Sequence, residues 1–359
     1  MTRHFRFLAV AVMIPCLSVV CVGQILHPDA FPFHVAVGDR HGFMDENCRL
    51  VVPPRFDEAF DFTEGLAAVE SEGKWGYIDK SGKFAIPPQF AGAGQFSDGL
   101  AGVRFDERTP LWGFIDKTGR KVIEPRVSSP FQFREGLVEF YGEKDSILGV
   151  PRGYLDRSGK LTIALHEEGK RLEFVVGFFD GLARVSMAVQ HEDGSIGQLM
   201  WGYIDHSGKW ALPLAFEGAG DFHEGLAPVT EHSIWGFIDK TGQFVISPRF
   251  EGAKEFSEGL AAVRMSGKWG FIDRAGSIVI APQFDGVGDF RGGMAYLFSG
   301  RRVGYINKAG AIAIAPTLDY GSEFTNGIAG FKSGALYGVV DASGRVRCQL
   351  RTPIRNDER

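Results

Sequence analysis

Few residues of this chain stand in a spacing that does chemistry. His166-Glu167-Glu168 and His191-Glu192-Asp193 open like a zinc-peptidase signature, but neither has the second His that completes a ligand pair. His27, His34 and His41 lie close together, yet no Cys or acidic spacing finishes a metal site around them. Gly-x-Gly occurs at Gly92/Gly94, Gly218/Gly220 and Gly286/Gly288 without the third Gly or the following helix of a dinucleotide loop. There is no Gly-x-Ser-x-Gly elbow, no Walker-type loop and no His-Glu-x-x-His. Carboxylates do recur at one position, Glu64, Asp98, Glu135, Asp180, Glu224 and Glu258, always before a Gly. A glycosidase pair needs one copy distinguished from its siblings, and none is. Polar, turn-favouring usage explains the series. No catalytic residue, metal ligand or cofactor is assigned.

The elements that carry these residues are set by a phrase, aromatic-Gly-aromatic-Ile-Asp, whose Gly falls at Gly42, Gly76, Gly113, Gly153, Gly202, Gly236, Gly270, Gly304 and Gly338. The intervals are 34 residues except for 37, 40 and 49 in the middle units, the mark of a repeat architecture. In the unit around Trp269, Leu260–Arg264 is an apolar run closed by the turn Ser266-Gly267-Lys268. Trp269–Asp273 alternates and stops at Arg274-Ala275-Gly276, and Ser277–Ile280 runs into Pro282. Turn residues between β-branched and aromatic runs predict an antiparallel meander of three short strands, B, C and D. Pro282 places the last of them at a strand end or sheet edge. The Gly-rich segment Phe284–Phe290 is a fourth strand or a linker. The motif Asp is expected to cap the C–D turn, and the motif Gly to let an aromatic lie flat over the backbone.

Both faces of the meander are apolar, so each unit needs a neighbour on either side. The fold class expected is all-β, with nine meanders stacked as a propeller-like toroid. An open superhelical β-repeat solenoid is the alternative, because nine exceeds the usual four to eight blades and 34 residues is short for one. Extra residues lie around Phe140–Pro151 and Met187–Met200. Insertions in repeat proteins map to loops on one face, often the binding face. This makes Tyr141, Glu143, Lys144, Asp145, His191, Glu192 and Asp193 the candidate binding residues.

Residues 1–23 read as a secretory signal: Arg3 and Arg6 precede the apolar run Phe7–Val22, and Gly23 offers a small residue for cleavage. Export to the periplasm, cell surface or medium is expected. Lipoprotein anchoring through Cys21 is disfavoured by the bulk of Val20, and no stable membrane span remains after signal removal. Residues 24–350 form the repeat domain and 351–359 a polar tail. Losing the signal removes two Arg and no acid, which takes the net charge from −5 to −7. A mildly acidic body without basic clusters excludes nucleic acid as a partner. Cys48 and Cys348 are the two cysteines left, one in the first unit and one in the last. A disulfide between them would latch a closed stack, but Cys48 falls in a C–D turn and Cys348 in a D strand, a register that does not assure pairing.

The best units, Gly73–Pro88, Trp235–Pro248 and Gly267–Pro282, resemble the bacterial WG-repeat (KWG-repeat) family. Its signature is Gly-Lys-Trp-Gly-Tyr/Phe-Ile-Asp-Lys-x-Gly-Lys, then Ile-x-Pro-x-Phe and Phe-x-Glu-Gly-Leu-Ala. The resemblance spans about residues 33–350 and weakens at Arg152–Leu165, where Trp and Pro are both lost. It implies an all-β, often exported bacterial repeat protein with an interaction role and no reaction to carry over. The expectation is a non-enzymatic scaffold that binds a protein or cell-envelope polymer through loops and strand edges along one face. The alternative is a glycan-directed hydrolase with a cleft at units three to five.

Overall fold

A computed structural model describes residues 32–129, 132–141, 152–165, 170–190 and 196–351. The expected signal segment (residues 1–23), nearly all of the C-terminal tail and most of the first insertion lie outside the described residues. The chain forms nine small antiparallel sheets: blade 1 (33–56), blade 2 (58–90), blade 3 (92–127), blade 4 (137–165), blade 5 (170–216), blade 6 (218–250), blade 7 (252–284), blade 8 (286–318) and blade 9 (320–351). Blade 7 shows the pattern, with strands Gly252–Ser257, Leu260–Met265, Lys268–Ile272 and Ile278–Phe284 following one another as A, B, C and D. The Gly-rich segment is therefore strand A in most blades. Blades 1 and 4 have three strands among the described residues.

Strand D does not stop at its Pro. It runs through Pro282 to Phe284 as the edge strand of its sheet, where a missing N–H costs no ladder bond. The C–D register explains the motif Gly. Trp269 pairs with Phe284 and Phe271 with Ile280, so D bulges across Ala281-Pro282-Gln283 opposite Gly270. A Cβ at Gly270 would stand 2.4 Å from the Ile280 carbonyl oxygen and 2.6 Å from the Pro282 nitrogen. The Gly thus admits the bulged backbone of D rather than an aromatic ring. The ring it was expected to admit lies elsewhere: Trp269 covers Gly252, the first residue of strand A, and Trp112 covers Gly92 in the same way. The motif Asp behaves as the turn chemistry predicts. Asp239 Oδ1, for example, accepts from the Thr241 and Gln243 backbone N–H groups at 2.8 and 3.1 Å.

Core residues fall into nine clusters, each shared by two adjacent blades. The last joins Phe33, Val35 and Met44 of blade 1 to Ile328, Tyr337 and Val339 of blade 9, so the stack closes on itself. The molecule is a nine-bladed β-propeller, and the open solenoid is excluded.

Three contacts repeat at the seams. In the middle of eight of them the motif aromatic of one blade meets, edge to face, the Phe of Phe-x-(Glu/Asp)-Gly in the next, as in Phe237–Phe256 and Tyr305–Phe324, with centroids 4.7–5.0 Å apart. Farther out, the D-strand aliphatic of one blade rests on the C–D turn Gly of the next; a Cβ at Gly310 would lie 3.0 Å from Ile280. Nearest the axis, the carboxylates that precede Gly are inter-blade ties and not only turn formers. Each accepts a hydrogen bond from a Gly N–H of the following blade: Gly99 to Glu64, Gly136 to Asp98, Gly181 to Glu135, Gly225 to Asp180, Gly259 to Glu224 and Gly293 to Glu258, at 2.8–3.1 Å.

The ninth seam departs from this pattern at the outer contact. Cys348 occupies the aliphatic D-strand position, and Cys48 the turn-Gly position, with the left-handed backbone (φ 59°) that Gly takes in the sibling turns. The register that counted against their pairing is the register of every other seam. The two are joined, with Cα atoms 5.8 Å apart. Thiol titration of the denatured, unreduced chain from Gln24 onward is therefore expected to find no free thiol. Reduction should lower stability by about 2–5 kcal/mol, since the bond closes a very long loop. Two free thiols per chain would contradict the closure described here.

Candidate functional site

A cavity of about 480 Å³ is walled by the A–B turns of five successive blades, from Thr63 in blade 2 through Ser97, Arg134 and Phe179 to His223 in blade 6. Five consecutive blades can meet only around the ring axis, so the A strands line the central channel and the D strands the rim. The cavity is the mouth of that channel. Arg134 lies over the Phe179 ring at 4.7 Å, and Phe179 packs against His223 with centroids 5.0 Å apart.

Below the mouth, the channel wall carries the residue just before the seam Phe: Asp61, Asp221, Glu255, Asp289 and Glu323 in blades 2, 6, 7, 8 and 9. Glu139, on strand B of blade 4, joins them. It faces Gly177 of blade 5, where a Cβ would lie 3.3 Å from its Oε1. Four cations stand among these six acids. Arg184 donates from Nε to Asp221 Oδ1 at 2.7 Å, and Arg291 Nε pairs with Glu323 Oε1 at 3.1 Å. Lys254 donates to the Val287 carbonyl at 2.8 Å, and Arg134 adds its charge beside Glu139. Burial pushes Asp61, Asp221, Asp289 and Glu323 above the usual carboxylate range, and Glu139 to about 7. Burial likewise lowers Arg134. Among the described residues Glu139 Oε2 and Asp289 Oδ1 have no hydrogen-bond partner. Near the closing seam, His34 Nε2 meets His41 Nδ1 at 2.5 Å, and burial, with His41 adding to it, brings His34 down to about 4. Among the described residues no group of three or more His, Cys, Asp or Glu is placed to hold a metal ion.

The opposite end of the propeller carries the B–C hairpins, and both insertions arise there, in adjacent blades. Tyr141 closes strand B of blade 4. Its hydroxyl donates to the Val175 carbonyl and accepts from the Val175 N–H, both at 3.1 Å, and Arg152 lies over its ring at 5.2 Å. Part of the second insertion is strand, not loop: Leu182–Gln190 and Ile196–Asp205 pair as a lengthened hairpin. Beside it, half-exposed Phe174 stacks on Trp201 at 6.1 Å. Glu143, Lys144, Asp145, His191, Glu192 and Asp193 lie outside the described residues.

Sequence reasoning missed the channel wall. The signal was available: between the invariant Phe positions the preceding residue changes freely from Asp to Gln, Gly and Glu, and such variation inside a strict repeat marks positions released from seam packing.

A family model described as WG containing repeat matches residues 42–75, 75–108, 112–140, 201–232, 235–269, 269–296 and 304–337, more than half of the chain. The stretch without a match holds blade 4's weak unit and the long hairpin of blade 5. No curated protein matches the chain in sequence. Among solved structures, Kluyveromyces lactis Hsv2 is similar at 8% identity and a TM-score of 0.33, covering 81% of this chain and 96% of that one. The extracellular domain of a one-component system of B. thetaiotaomicron is similar at 10% identity and a TM-score of 0.27, covering 90% of this chain and 66% of that one.

The shift of Glu139 has a stability consequence. Between its ordinary value of 4.5 and about 7, the folded chain holds a proton that the unfolded chain has released. Stability therefore falls as pH rises through that window, by up to about 1.4 kcal/mol per pH unit from this group. Glu139→Gln should remove that share of the slope, so that the variant gains on the wild type between pH 5 and pH 8 in urea unfolding. Parallel stability profiles for the two proteins would show that Glu139 titrates normally.

Proposed function

The chain belongs to the WG-containing repeat family, and from that premise we propose that it is an exported, non-enzymatic scaffold that binds a partner protein or envelope polymer on its B–C hairpin face. The observation that carries this reading is the common origin of both insertions. They leave the repeat at the same B–C position in blades 4 and 5, beside the slightly lengthened B–C loop of blade 3, so the longest hairpins converge on one patch of one face. Tyr141, Arg152, Phe174 and Trp201 surround the points where they leave the described strands, with an aromatic and cationic character suited to recognition. Glu143, Lys144, Asp145, His191, Glu192 and Asp193 would supply its polar contacts. The described residues include no helix long and apolar enough to cross a membrane, and export itself rests on the N-terminal segment.

The hydrolase reading has less support. In blades 3 to 5 the carboxylates of Asp98, Glu135 and Asp180 each accept a Gly N–H from the next blade, so they are engaged in joining blades.

The test is cosedimentation of the mature protein with isolated cell envelopes, beside a variant whose blade 5 hairpin is cut back to the short Ser-Gly-Lys turn of blade 7. The variant should fold with an unchanged melting temperature and bind at least about tenfold more weakly, a loss of about 1.4 kcal/mol. Equal binding by the shortened variant, or release of soluble sugar from the envelopes by the wild type, would overturn the proposal.

A further inference from the structure

Most cations near the outer rim are spent within the fold. Lys117, Arg274 and Lys308 pair with Glu64, Glu224 and Glu258 of the preceding blade at 3.1–3.6 Å. In blade 3, Arg120 and Lys121 pair with Asp116 and Glu124 at 3.1 and 2.7 Å. Just before strand D, blades 4 and 5 carry the single lysines Lys160 and Lys209, and blades 6 to 8 the neutral Gln243, Ser277 and Ala311. Blades 9, 1 and 2, which are consecutive across the closing seam, differ. Arg345, Arg347, Arg351, Arg49 and Lys83 are all exposed, and among the described residues their charged groups make no ion pair or hydrogen bond. Residues 341–351, 45–55 and 79–89, the C–D turns and D strands of these blades, hold seven cations and four acids. This is a local positive excess on a body whose net charge is negative. The disulfide sharpens it: Arg49 follows Cys48 and Arg347 precedes Cys348, so the bond holds two like charges side by side.

Apolar side chains alternate with these cations. Val346, Leu50, Val51 and Phe84 open the three D strands and are 38–47% exposed. Between blades 1 and 2 the same stretch of rim holds a cavity of about 380 Å³, lined by Val51, Pro53, Arg55, Gly82, Lys83 and Phe84. Arg55 spends one donor on the Gly82 carbonyl, at 2.7 Å, and keeps the rest of its guanidinium.

We infer that this arc of the rim docks edge-on against an anionic phospholipid bilayer, with a headgroup phosphate seated between Arg55 and Lys83. Charge selects the occupant: clustered Lys and Arg are drawn to anionic headgroups, and guanidinium matches phosphate geometry. The apolar residues between the cations select a bilayer over a dissolved polyanion, because only a bilayer offers an apolar layer just beneath its phosphates. A nucleic acid would leave Val346, Leu50, Val51 and Phe84 in water. Along the chain the patch is not visible, since its cations come from three strands that closure of the ring brings together. Edge-on docking leaves the hairpin face and the channel mouth open.

The inference is independent of the hairpin-face reading, because synthetic vesicles carry neither protein nor envelope polymer, and either can fail alone. The test is cosedimentation of the oxidised chain from Gln24 onward with vesicles of phosphatidylcholine, pure or with roughly one-third phosphatidylglycerol. Binding to the anionic vesicles should be at least about tenfold tighter, and should weaken as salt rises. Arg345→Gln with Arg347→Gln, and separately Leu50→Ser with Phe84→Ser, should each weaken it about tenfold or more with the melting temperature unchanged, since all four side chains are exposed. Arg120→Gln with Lys121→Gln takes the same charge from the rim of blade 3 and should change nothing. Equal binding to neutral and anionic vesicles, an equal loss in the blade 3 variant, or full binding by the Leu50 and Phe84 variant overturns the inference. So does binding of a DNA duplex as tight as that of the anionic vesicles.

Discussion

The edge-to-face pair between the motif aromatic of one blade and the Phe-x-(Glu/Asp)-Gly ring of the next is the contact on which the rest of this propeller depends. Such pairs contribute about 0.5–1.5 kcal/mol beyond the burial of their area, and eight of them stand in register around the ring. Their geometry dictates the neighbouring positions. Placing Phe271 against Phe290 sends Ile272 back toward the blade before it, where it joins Phe237 and Phe256. The motif thus faces both neighbours at once, and a blade of this length has no core of its own. Where the motif aromatic is Tyr, its hydroxyl donates to a backbone carbonyl on the next A strand, as Tyr203 does to Gly220 at 2.8 Å. The same ring therefore fixes the inner strand as well as the seam.

A chain of equal seams must still end somewhere, and the end is where the repeat is rewritten. At the ninth seam the motif aromatic is Val339, which cannot make the pair, and the two cysteines take over the outer contact. Carboxylate ties also lapse toward the closure: Gly292 of blade 8 and Asn326 of blade 9 replace the acid while keeping its left-handed backbone. Ring closure is thus carried by a covalent bond and a smaller apolar cluster where the other seams use three repeated contacts. The oxidising compartment that an exported protein reaches is the one in which that bond persists.

Much of this was legible in the residues. The 34-residue period, the three-stranded meander, the two apolar faces and the turn-capping Asp all follow from local pattern, because each is decided within one unit. What was not legible lies between units. That Cys48 and Cys348 occupy the paired Gly and aliphatic positions required the seam register, which no single repeat contains. The role of the motif Gly depended on a bulge in strand D that Pro282 marks but does not place. The channel wall was hidden for the same reason: Arg184 and Asp221 are 37 residues apart and meet only because position three of one strand B faces the next strand A. The consensus positions build the ring, and the positions free of consensus line its channel and raise its hairpins.

The claim that most needs direct measurement is closure. Small-angle X-ray scattering on the chain from Gln24 onward should give a radius of gyration close to that of a compact domain of this length, about 20 Å. Its pair-distance distribution should be broad and single. A skewed distribution with a long tail, and a radius well above that value in the oxidised protein, would describe an open stack and contradict the ring.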